Sequence, residues 1–179
     1  MKTAAIAAIF CLAYPLAAQT IPDIKPGDTC EKIRAGYGQE SSLEGPAHIW
    51  KREAVSVRVL VKSNGPCVAG LVEFDVQPGH TCTTGDGIIL GKDTIADAIQ
   101  KLKGRIDSNS YMSVRGEGKA YGQLVVSPTP ANKFTGTYSW LLRQSIADKL
   151  SAPPRLSDFT TEPVAVYSID SADSQGISR

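Results

Sequence analysis

The residues with the widest chemical reach are the cysteines and histidines. The chain holds 4 cysteines and 2 histidines; Cys30, Cys67 and Cys82 lie in its body, with His80 just ahead of Cys82. Three thiolates and one imidazole would fill a tetrahedral zinc site. Ligand pairs in such sites stand about two to four residues apart, whereas Thr81 alone separates His80 from Cys82 and Cys67 is distant. A disulfide and a surface histidine explain the same residues, so neither metal nor cofactor is expected. A second chemistry is a Cys82 nucleophile activated by His80, but nothing in the sequence stands ready to orient that base. His48, beside Ile49 and Trp50, reads as a surface or edge-strand residue.

Other constellations are weaker. The run Gly116-Glu117-Gly118-Lys119-Ala120-Tyr121-Gly122 superficially resembles a phosphate loop, yet strand-like residues follow where a helix N-terminus would be required, so it reads as a hairpin turn. Acidic residues are scattered, with no pair spaced for acid and base work. Trp50, Tyr111, Tyr121, Tyr138 and Trp140 are a possible binding surface, since aromatics concentrate in interface cores. Their alternation with polar neighbours favours core packing instead. No catalytic residue is assigned.

The compartment follows from the first residues. Met1-Lys2-Thr3, the apolar run Ala4 to Ala13 and then Tyr14-Pro15-Leu16-Ala17-Ala18-Gln19 have the layout of a secretory signal peptide, residues 1–18, cut before Gln19. The apolar run is well short of the roughly 20 residues that span a bilayer. Phe10 before Cys11 argues against a lipid anchor. The expected destination is the periplasm or the exterior, an oxidising setting that favours one disulfide among three cysteines. Cys67 with Cys82 is the most local pairing, and Cys30 can replace either partner. The charge is balanced, 19 Lys and Arg against 18 Asp and Glu, which gives no reason to expect nucleic acid or an anionic membrane as partner.

Ile24 to Gly38 reads as a short helix capped by Asp28 with Glu31 three places on, its face carrying Cys30, Ile33 and Tyr37. After a polar connection through Pro46, period-two valines at 55–61 and the alternation from Val68 to Val76 predict an antiparallel hairpin. Gln77 to Gly87 is an exposed loop by its glycines and proline. A second helix opens at Thr94 with Asp97 as capping partner and carries Ile95, Ile99, Leu102 and Ile106 on one stripe. Strands are expected at Tyr111 to Arg115, Ala120 to Ser127, Gly136 to Arg143 and Pro163 to Ile169, with a third helix around Ile146 to Leu150 and a frayed tail from 170 to 179.

Two stretches share one layout: an apolar residue, a glycine, an Asp-Thr pair, a helix and strands. Ile24-Lys25-Pro26-Gly27-Asp28-Thr29 and Ile89-Leu90-Gly91-Lys92-Asp93-Thr94, each opening its helix, resemble the motif of SmpA/OmlA-type outer-membrane assembly lipoproteins, which beta-lactamase inhibitory protein repeats in tandem. The second copy carries one extra residue before its threonine, and the lipoproteins' anchoring cysteine is missing. The resemblance implies a helix packed on an antiparallel sheet, twice over, with a binding role and no chemistry. The expected architecture is α+β: unit 19–80 and unit 81–169, each a short helix on an antiparallel sheet. The expected function is binding of another protein, without enzymatic activity, span or lipid. A small secreted hydrolase or thiol-dependent enzyme using His80 and Cys82, and an effector acting on a host, are the alternatives.

Overall fold

The computed structural model describes residues 19–61, 66–107, 111–115, 119–128, 134–141, 161 and 163–170. The expected signal peptide, the helix around Ile146 to Leu150 and the tail beyond Asp170 lie outside them. Helix α1 spans Cys30–Tyr37 and α2 spans Ile95–Lys101. Thr94 and Asp97 form the capping box that their spacing predicts, each accepting the other's backbone N–H. In α1 the cap is Thr29 rather than Asp28: the threonine hydroxyl accepts Lys32 N at 3.2 Å. Asp28 is committed one step earlier, where its carboxylate accepts Lys25 N at 3.0 Å and pairs with the Lys32 ammonium. Ile106 leaves the second helix altogether and bridges Val126.

The strands are β1 Gln19–Thr20, β2 Ser42–Glu44, β3 Ala47–Lys51, β4 Val55–Val61, β5 Ala69–Val76, β6 Cys82–Thr83, β7 Ile89–Leu90, β8 Tyr111–Arg115, β9 Lys119–Val126, β10 Thr135–Leu141 and β11 Val166–Asp170. Eight of them make one antiparallel sheet in the order β2-β3-β4-β5-β11-β10-β9-β8, and β1, β6 and β7 make a small second sheet. The β4–β5 hairpin stands where alternating valines place it. Three readings are corrected. The polar connection through Pro46 is instead the β2–β3 hairpin, its alternation masked in the sequence by Gly45-Pro46 at the turn. The exposed loop 77–87 contains β6, with Cys82 and Thr84 buried. Asp170 pairs with Leu71 in the sheet and is no part of a tail.

Period-two alternation puts one face of the large sheet inside. A single register row runs through Trp50, Val57, Phe74, Tyr167, Tyr138 and Leu124 across six strands, all of them buried. Ile33 of α1 and Ile95, Ala98 and Leu102 at α2 belong to the same core. The opposite face carries Ser56 and Arg58 on β4 and Glu73 and Asp75 on β5, with Arg58 opposite Glu73 and Ser56 opposite Asp75. The chain is therefore α+β, dominated by strand, with two short helices among the described residues.

Candidate functional site

The first residue of α1 is Cys30, and Cys67 lies just ahead of β5; the two form a disulfide. This corrects the more local pairing of Cys67 with Cys82. Local sequence distance is a poor guide here because the backbone itself brings α1 and β5 together. Cys30 N donates to Cys67 O at 2.9 Å, Ala69 N to Asp28 O at 2.9 Å and Gly27 N to Ala69 O at 2.8 Å. Cys82 is left as the free thiol, fully buried in β6. Burial pushes that thiol above its ordinary range, which makes it a poor nucleophile.

Beside the disulfide stands His48 of β3, whose Nε2 is 3.5 Å from Cys67 Sγ. Its Nδ1 lies 3.0 Å from Glu40 Oε1, and Arg34 of α1 grips the same carboxylate through Nε at 2.9 Å and Nη2 at 2.6 Å. The Arg34 guanidinium, backed by a backbone N–H and by His48, holds the Glu40 carboxyl down at about 2. Glu40 is then an anion throughout the neutral range and accepts only, so Nδ1 of His48 carries the proton and Nε2 faces the sulfur. The ring also stacks on Trp50, centroids 6.2 Å apart. The indole N–H of Trp50 donates to Gly38 O at 2.8 Å, tying β3 to the end of α1.

Among the described residues, the group whose ligand atoms converge is Cys30, His48 and Cys67, within 4.8 Å of one another. It is not the Cys67, His80 and Cys82 set considered from sequence. Glu40, Arg34 and the approach of His48 to Cys67 were missed, because nothing in linear spacing marks them. The β2–β3 hairpin creates the juxtaposition by pairing Ser42 with Ile49, which folds Glu40 back on His48. Of the five aromatics, Trp50 and Tyr138 are fully buried core residues, not binding surface. Tyr111 and Tyr121 belong to β8 and β9, Trp140 to β10.

A second polar cluster lies deep in the other half. The Tyr138 hydroxyl donates to Asp86 Oδ2 at 2.8 Å and meets Thr84 Oγ1 at 3.0 Å, while Arg105 pairs with Asp86 at 2.7 Å. Tyr138, Thr84 and Asp86 satisfy one another, the ordinary condition for buried polar atoms, whereas Arg105 Nε is buried without a partner among the described residues. A hollow of about 730 Å³ runs along the segment from Thr20 to Asp28 towards Phe134 and Tyr167. Its lining mixes apolar residues such as Ile21, Ile24 and Ile169 with Asp23, Lys25 and Asp28, the last already paired with Lys32. No described helix is long and apolar enough to cross a membrane. No family model matches the chain, and neither a curated protein nor a solved structure matches it.

Proposed function

We propose that the chain is an exported protein without enzymatic activity that binds another protein through the open face of its large sheet, and that the sheet is assembled from two like units. The carrying observation is the one-sided sheet: the core takes one face, and the other presents Ser56, Arg58, Glu73 and Asp75 in facing pairs. A surface mixing charges of both signs suits a protein partner better than a polyanion.

The duplication is supported by correspondences at the helix starts. Gly27 and Gly91 have φ of 94° and 79°. Asp28 and Asp93, both buried, accept the N–H of Lys25 and Ile89 and pair with Lys32 and Lys101. Thr29 bridges Val68 as Thr94 bridges Pro163, each just before the last strand of its half. The extra residue of the second motif fits in the turn, where Asp93 N still reaches Ile89 O at 2.8 Å. Strand order supports the same reading, because β2-β3-β4-β5 is met by β11-β10-β9-β8. The Cys30–Cys67 disulfide fits an oxidising compartment and so fits export. A partner on the host side would make the protein an effector. The thiol-enzyme reading through Cys82 and His80 loses its footing with Cys82 buried.

The test is capture of proteins from the exported fraction by the immobilised chain and by an Arg58→Glu/Asp75→Lys variant. Both positions are exposed on the open face. A protein retained by the natural chain and lost by the variant at unchanged thermal midpoint supports the reading. The same proteins retained by both, or none by the natural chain at micromolar concentration, contradicts it.

A further inference from the structure

The Cys30–Cys67 bond crosses a junction that the backbone also makes. Three backbone hydrogen bonds, Cys30 N to Cys67 O, Ala69 N to Asp28 O and Gly27 N to Ala69 O, already hold the start of α1 against the start of β5. The other half joins helix to strand in the same way with no sulfur at all: Val164 N donates to Asp93 O at 3.0 Å and Gly91 N to Val164 O at 2.7 Å. Ile95 stands first in α2 where Cys30 stands first in α1. The second half makes this junction without a covalent bond, so the same backbone contacts are expected to keep the two thiols side by side once the bond is reduced.

The surroundings of the bond are those of exchange chemistry. Cys30 is buried and Cys67 half-buried, so Cys67 offers the more accessible sulfur. His48 Nε2 faces that sulfur at 3.5 Å, its other nitrogen fixed by Glu40, which Arg34 fixes in turn. A base or cation beside a cysteine favours its thiolate, the reactive and departing form.

We infer that Cys30–Cys67 is a thiol–disulfide exchange site that accepts electrons from a dithiol, with Cys67 the attacked sulfur and His48 the residue that governs its proton. One thiolate of the dithiol attacks Cys67 Sγ; a new sulfur–sulfur bond forms, the Cys67–Cys30 bond breaks, and its electron pair goes to Cys30 Sγ, which takes a proton from solvent. The second thiolate of the dithiol then attacks its own first sulfur. The bond to Cys67 breaks, the electron pair leaves on Cys67 Sγ, and the proton that sulfur takes comes from solvent by way of His48 Nε2, which picks it up and passes it on. Two electrons and two protons pass, the dithiol becomes a cyclic disulfide, and the protein holds two thiols.

The experiment is reduction of the full mature chain by dithiothreitol at neutral pH, followed by alkylation and peptide mass spectrometry at Cys30 and Cys67, with far-UV circular dichroism alongside. The natural chain is expected to keep its sheet spectrum when both thiols are free and to re-form the bond on removal of the reductant. His48→Gln is expected to slow release of the mixed disulfide from Cys67 about tenfold, the worth of one hydrogen bond to a charged sulfur. If His48→Gln does not fold, Glu40→Gln gives the same reading, with a few-fold slowing expected from loss of the acceptor on Nδ1. Loss of the sheet on reduction of the natural chain, or an unchanged rate in the folded variant, would overturn the inference. Neither result depends on whether the sheet face binds a partner.

Discussion

Glu40 shows how one side chain sets the pH response of its surroundings. Held near 2 chiefly by Arg34, against an ordinary 4.5, it is ionised in the fold at pH values where the unfolded chain would be protonated. Its contribution to stability is therefore complete above about 4.5 and fades as pH falls towards about 2. Glu40→Gln should lower the thermal midpoint at pH 7 by several degrees, with the gap to the natural chain closing across that interval in a series of melts. Trp50 makes a simpler case: Trp50→Phe removes the indole N–H from Gly38 O and should cost about 1 kcal/mol in urea unfolding. Little of this was legible in the sequence. The cysteines advertise a disulfide, but Glu40 and His48 meet only through the β2–β3 turn, and Gly45-Pro46 hides that hairpin from any alternation argument.

At the scale of elements, the helix starts were the most legible part of the chain, because capping is local chemistry. Thr94 and Asp97 act as their spacing says; Thr94→Ala should cost about 1 kcal/mol of unfolding free energy. Asp28 was misread as a cap because its carboxylate is equally suited to the turn before the helix, where Lys25 N and Lys32 claim it. The two turn glycines separate backbone strain from crowding. A Cβ at Gly27, φ 94°, would meet nothing within 4 Å, whereas one at Gly91, φ 79°, would stand 2.5 Å from His80 O. Gly27→Ala should cost about 1 kcal/mol, and Gly91→Ala at least about 2 kcal/mol more, since backbone must move to admit it. Denaturant unfolding of the two variants checks the order; equal losses would place His80 elsewhere.

For the whole molecule, the proposed binding face rests on two four-stranded meanders sharing one sheet. Their seam is β5 against β11, where Phe74 faces Tyr167, and Tyr167 stacks on Tyr138 with centroids 4.5 Å apart. Burial raises the hydroxyl of Tyr167 to about 12 and that of Tyr138 further still, against an ordinary 10.0. The neutral phenols belong to the fold, so their contribution is intact below about 10 and is lost as pH climbs through about 12. Ultraviolet titration should find these two tyrosines ionising only with unfolding, and Tyr138→Phe should flatten the alkaline limb while costing about 1–3 kcal/mol for the partners it strands. That the halves join through their last strands was not legible, since strand order between distant segments leaves no period in the sequence. Native-state hydrogen exchange across the seam tests the shared sheet most directly. The amides that pair β5 with β11 are expected to exchange only through global unfolding, at the same free energy as those of β4 and β10. Seam amides that open first, while each half keeps its own protection, would mean two separate sheets and no common face for a partner.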